Sequence, residues 1–176
     1  SLVHQLRLKP GVYTRRQQNG QIESHVNVSK GFSHKIFLDP ETGVFRIGMG
    51  QAKMPLVSLL KAMGVSDAKL REEWGDQLAS DNIKKDNPQT IRKLYTKLFP
   101  SGKHDAESQR EAVVNAFQSM ELDPDTTRRT LGTSRTNIDA DTILNITQRL
   151  LAVNRGEEEE DDRDALPYQK IYGPED

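Results

Sequence analysis

The chain has 176 residues, a formal net charge of −1 and no cysteine, which suits one domain or one domain with an appended arm and excludes disulfide and thiolate chemistry. No apolar run approaches the ~20 residues that cross a bilayer. The first residues carry no signal-peptide pattern, so a cytoplasmic protein with no membrane partner is expected. The chain opens on Ser1 rather than Met, which reads as a cut end. Apolar residues are only 34%, but they cluster in periodic segments, so a core can form.

In chain order, residues 1–54 read as β-rich. Ile22, Ser24, Val26 and Val28 alternate onto one side of a strand, and Gln18-Asn19-Gly20 before it is a hairpin signal. A second hairpin is expected from Lys35–Leu38 and Val44–Ile47 around the turn-rich Asp39-Pro40-Glu41-Thr42-Gly43. Gly48 and Gly50 then break the strand pattern, and Pro55 suits the first position of a helix.

From Pro55 the spacing predicts about five helices. Leu56, Leu59, Leu60 and Met63 form one face, closed by Gly64 as a left-handed cap. Ser66 caps a second helix with Leu70, Trp74 and Leu78 in a row. Asn87-Pro88 opens a third, with Ile91, Leu94, Tyr95 and Leu98 inward and Arg92, Lys93 and Lys97 outward. A fourth runs from Asp105 through Val113, Val114 and Phe117. The fifth starts near Asp139 and presents Ile143, Leu144, Thr147, Leu150 and Leu151. The expected class is therefore α+β: N-terminal β-hairpins, a helical bundle and an acidic C-terminal arm. The expected parts are 1–54, 55–155 and 156–176.

The arm carries the strongest charge signal. From Glu157 to Asp164, seven carboxylates face one arginine, a net −6, so the remainder of the chain carries +5. Runs of like charge repel themselves and stay extended and solvated, so a solvated linker is the plain reading. Asp161-Asp162-x-Asp164 has the density of a hard-cation site. Two-metal chemistry, however, gathers ligands from distant parts of a fold, so neither a metal nor a cofactor is expected.

Other chemistry is sparse. His4, His25, His34 and His104 lack metal-ligand spacing. Neither a nucleophile elbow nor a phosphate-binding Gly-x-x-x-x-Gly-Lys occurs. Arg15-Arg16, Lys84-Lys85, Arg92-Lys93-Lys97 and Arg128-Arg129 with Arg135 supply cations without interleaved aromatics. They suit a solvated face or loose phosphate contact, not base stacking.

Several short patterns together resemble the lobe region of the β (second-largest) subunit of multisubunit DNA-dependent RNA polymerases. They are Gln5-Leu6 before Pro10-Gly11-Val12-Tyr13, the Lys30-Gly31 turn, Asp39-Pro40 before Val44-Phe45, and Pro55 before Leu59-Leu60-Lys61-Ala62-Met63-Gly64. Tyr95 with Pro100-x-Gly102, and Asn154-Arg155-Gly156 before Asp161-Asp162-x-Asp164 and Gln169-Lys170-Ile171, complete the order. The departures are Leu8, Arg163, Ala165 and Gln169-Lys170, and a strand end before Pro55 poor in arginine. They are those of a divergent member, such as a phage would encode.

The resemblance implies one wall of the DNA cleft of an RNA polymerase. DNA, other polymerase subunits and transcription factors would be its partners, and the nucleotidyltransferase active site would lie on another subunit. It implies nucleic-acid contact at Arg7, Asp164, Gln169 and Lys170. Asp164 would accept hydrogen bonds from the N1–H and N2 amine of an unstacked guanine, a donor pair no other base presents. Leu8 and Gln169 stand where the family has arginines flanking that pocket. Two other readings fit the residues: a protein–protein interaction module with an acidic docking tail, and a small metal-dependent nuclease built on the aspartates.

Overall fold

Every pair of neighbouring strands in the main sheet is joined by a short local connection, so β2 (Gly11–Arg16), β3 (Ile22–Asn27), β4 (His34–Leu38), β5 (Phe45–Met49) and β6 (Ala52–Pro55) form an antiparallel meander in chain order. The computed structural model describes residues 4–8, 10–132, 136–161 and 168–172. Outside the meander, β1 (His4–Leu8) pairs with β7 (Tyr168–Tyr172). The expected α+β arrangement is present, with seven helices among the described residues rather than about five.

The two expected hairpins are halves of one sheet, because β3 also pairs with β4. Alternation along β3 places Ile22, Ser24 and Val26 in the interior, as the period-two pattern predicts. Gly48 does not break the strand. A side chain there would meet the edge of the Phe37 ring at 2.6 Å, so the glycine leaves room for that ring beside β5. The reversal comes two residues later, where Gly50 takes φ +63° in a two-residue loop and turns the chain into β6. Pro55 ends that strand and caps the next helix, rather than filling its first turn.

The helices are α1 (Leu56–Ala62), α2 (Asp67–Trp74), α3 (Asp76–Ile83), α4 (Gln89–Leu98), α5 (Ala106–Gln118), α6 (Pro124–Leu131) and α7 (Ala140–Asn154). Ser66, Asp105 and Asp139 accept backbone N–H bonds at the starts of α2, α5 and α7, satisfying donors that a helix start leaves open. The expected row Leu70–Trp74–Leu78 is split between two helices. Gly75, at φ +85°, ends α2 and starts α3, so Leu78 sits on a new axis. Helix α6 is an addition to the expected set. Its cap Asp123, its Pro124 and its left-handed Gly132 are regular helix-end residues, but the buried face is Thr126, Thr127 and Thr130 rather than aliphatic.

One core joins sheet and helices. Val12, Ile22, Val26, Ile36, Leu38, Phe45 and Ile47 pack with Leu56, Leu59 and Leu60 of α1 and with Ile143, Ile146 and Leu150 of α7. Helix α7 lies across β2, β3 and β4, and α1 lies on β5. Trp74 seals one end: it stacks obliquely on Phe45 at 4.8 Å and donates from Nε1 to Thr147 Oγ1 at 2.9 Å. Asn82 ties α3 to the β4–β5 turn, accepting from Phe45 N and donating to Gly43 O.

Candidate nucleic-acid interface

Three of the four predicted contact residues fall on one ladder. Strands β1 and β7 are antiparallel with Arg7 opposite Gln169, Leu6 opposite Lys170 and Leu8 opposite Tyr168. Positions distant in sequence thus become register neighbours. Asp164 itself lies outside the described residues, while Leu8 and Gln169, the positions expected to flank its pocket, lie on the two strands of the ladder.

The acidic run leading toward that ladder is held to the body. Glu157, Glu158, Glu159 and Glu160 are exposed, as a solvated run requires. Asp161 is not free, however. Its N–H donates to Thr14 O at 2.8 Å, and its Oδ2 accepts from Thr14 N at 2.7 Å. Thr14 belongs to β2, the edge of the main sheet, so Asp161 satisfies backbone groups that an edge strand leaves open. Arg149, on α7, donates to Asp161 Oδ1 at 3.1 Å and to Glu159 O at 2.8 Å, with Glu158 at 3.4 Å. Arg15 lies 3.7 Å from Glu160.

The run through Glu160 is solvated as expected, and at Asp161 an arginine and a strand edge hold it to the body. The Arg149 and Asp161 side chains are only 15% and 13% exposed. Burial pushes the Asp161 carboxyl above its ordinary range, against the opposing pull of the Thr14 N–H and Arg149. A carboxylate so engaged is not a spare metal ligand. Among the described residues no three His, Cys, Asp or Glu side chains converge to hold a metal ion.

The histidines are placed structurally. His34 is fully buried, packs edge-on against Phe117 at 5.1 Å and donates from Nδ1 to Phe32 O at 3.0 Å. Burial pushes it down to about 4, so it is neutral at pH 7. His25 is also lowered, by burial and then by Lys35. His104 bonds Tyr95 through its ring Nδ1.

The basic clusters differ in what they face. Arg15 is engaged by the acidic run, and Arg16 donates to Val153 O. Lys84 lies near Asp81 and Arg128 near Asp125. Arg135 lies outside the described residues. Arg92, Lys93 and Lys97 are exposed on α4 and form no ion pair among the described residues.

Arg149 and Thr14 were not legible as partners of the acidic run. Arg149 sits in a helical repeat beside Leu150 and reads as outward-facing, and only the fold brings β2 beside it. No protein-family model matches the chain, and no curated protein matches it. No helix among the described residues is long and apolar enough to cross a membrane.

Proposed function

We propose that this chain is a lobe-like wall of the DNA cleft in a multisubunit DNA-dependent RNA polymerase, a non-catalytic part of its β subunit. The observation that carries the reading is the β1–β7 ladder. It sets Arg7 opposite Gln169 and places Lys170 one position on, so residues from both ends of the resemblance meet at one place.

The patterns that carry the resemblance also fall where side chains are constrained. Gly11 has no Cβ because Thr126 of α6 would stand 2.6 Å from it, and Gly31, at φ +111°, turns against Met120. Gly64 caps α1 at φ +92°. Gly102 leaves room for the Tyr95 hydroxyl.

In this role the chain binds and positions nucleic acid. Lys170 and Arg7 supply phosphate contacts, which hold without reading sequence. Asp164 reads guanine through two donors on one base edge. DNA, the other polymerase subunits and transcription factors are the partners, in the cytoplasm of a cell whose polymerase carries this divergent subunit.

The test uses the assembly that contains the chain. Asp164→Ala should flatten a preference for guanine at one non-template position, worth roughly 1 to 3 kcal/mol, while elongation continues. A guanine preference that survives the substitution contradicts the assignment.

A further inference from the structure

The outer face of the main sheet carries a groove that neither the β1–β7 ladder nor the acidic run uses. It has a volume of about 360 Å³ and is lined by residues of β3–β6 and of the β5–β6 loop, including Glu23, Lys35, Phe37, Gly48, Gly50 and Lys53. Gly48 has no side chain, and the edge of the Phe37 ring fills that space. Lys53 Nζ stands 4.3 Å from the centre of the Phe37 ring, so the aromatic face is taken by a cation and is not offered to a base. At the rim, Lys97 Nζ of α4 comes within 3.6 Å of where a Cβ on Gly50 would lie. Lys53 of β6 thus lines the groove, and Lys97 of α4 stands beside it at Gly50.

The charge balance is one-sided on the β5–β6 side of the groove, its lining carboxylate Glu23 lying on β3. Residues 42–66 and 87–104, which supply β5, β6, α1 and α4, contain no Asp or Glu, against seven Lys and Arg. Lys53 and Lys97 form no ion pair among the described residues, whereas Lys61, Lys69 and Lys84 all do. Lys35 is shared with Glu23 at 3.5 Å. Lys93 and Lys97, one turn apart on α4, repel each other, and like charges at that spacing weaken a helix.

We propose that this groove is a second nucleic-acid contact, in which Lys53 and Lys97 grip the phosphate backbone of a DNA duplex without reading its sequence. The choice of DNA as the polyanion rests on the polymerase reading above; the convergence of unpaired cations does not. Phosphate is the chemistry favoured, because two exposed ammonium groups, one of them over the aromatic ring, offer charge and no base-edge recognition.

The experiment is fluorescence anisotropy of the purified chain with a labelled 20-base-pair duplex, over a salt series starting at low ionic strength. Lys53→Gln/Lys97→Gln should lower the slope of log K against log salt by about 2, close to one unit for each ammonium group removed from the phosphates. Lys69→Gln, which loses a lysine already paired with Glu73, should leave the slope unchanged. Thermal melting of the double variant should match the parent, since both side chains are exposed.

Three results would overturn the groove: no duplex binding by the parent at low salt, an unchanged slope in the double variant, or a poly-glutamate peptide binding as tightly as DNA. Polymerase subunits that co-purify with the chain alongside an unchanged slope would sink the groove and leave the polymerase reading standing. The reverse pair of results would do the opposite.

Discussion

Arg149 on α7 and Asp161 in the acidic run meet at 3.1 Å, and the same carboxylate accepts from the Thr14 amide on the edge strand β2. A helix, a sheet edge and a charged tail are joined at one atom group. The described part of the acidic run is therefore fixed beside β2 at Asp161.

Removing that joint should release the run before it disturbs the core. In Arg149→Gln, the Asp161 amide, which donates to Thr14 O, should exchange its hydrogen much faster. The amides of β3 and β4 should keep their protection. Equal protection at Asp161 in variant and parent would show that Arg149 does not hold the run.

Stability should fall in acid through His34. Its folded value of about 4 lies below the ordinary value of 6.5 because burial disfavours the imidazolium. The unfolded chain thus takes up a proton that the fold refuses. The contribution is complete above pH 6.5 and is lost as pH falls toward 4, on the order of 3 kcal/mol in all. His34→Gln should flatten the decline between pH 6.5 and 4 in urea melts, and an undiminished decline would assign it to other groups.

Two glycines should fail for different reasons. Gly102 has an ordinary φ, but a Cβ there would run into the Tyr95 hydroxyl. Gly102→Ala should cost about 1 to 3 kcal/mol by overpacking, and Tyr95→Phe should recover part of that loss. Gly64 has nothing within 4 Å but holds φ +92°. Gly64→Ala should cost about 1 kcal/mol through backbone strain, with no rescue by a neighbouring truncation. Thermal melting of Gly102→Ala, Gly102→Ala/Tyr95→Phe and Gly64→Ala separates the two causes.

The core around α7 gives a direct packing test. Leu150 is fully buried, and Leu150→Ala should cost roughly 2 to 5 kcal/mol. Thr147→Val keeps the volume but removes the acceptor of the Trp74 indole. It should cost about 1 to 3 kcal/mol, the penalty of a stranded buried donor. A melt of Thr147→Val equal to the parent would mean that the indole finds another partner.

The legible parts of the sequence were those whose cause is local. Helix α7 announces itself through Asp139 and an aliphatic stripe, and β3 through strict alternation. Helix α6 was hidden because its buried residues are threonines, which pack on β2 only where Gly11 lets them approach. The α2–α3 break was written in Gly75, but the apolar spacing runs on across it. The Arg7–Gln169 register and the Arg149–Asp161 joint depend on chain segments that only the fold brings together. Unpaired lysines are visible as charge in the sequence, but which of them lack a carboxylate is a property of the surface.

The central claim, membership in a polymerase, is tested most directly by isolating complexes through a tagged copy of this chain from the cell that makes it. Nuclease treatment should precede the wash, and the co-purifying proteins should be identified by mass. The largest RNA polymerase subunit, bearing the catalytic aspartates, should be present in stoichiometric amount. A complex that lacks any polymerase subunit and survives the nuclease would contradict it, and would make the chain an interaction module of another assembly.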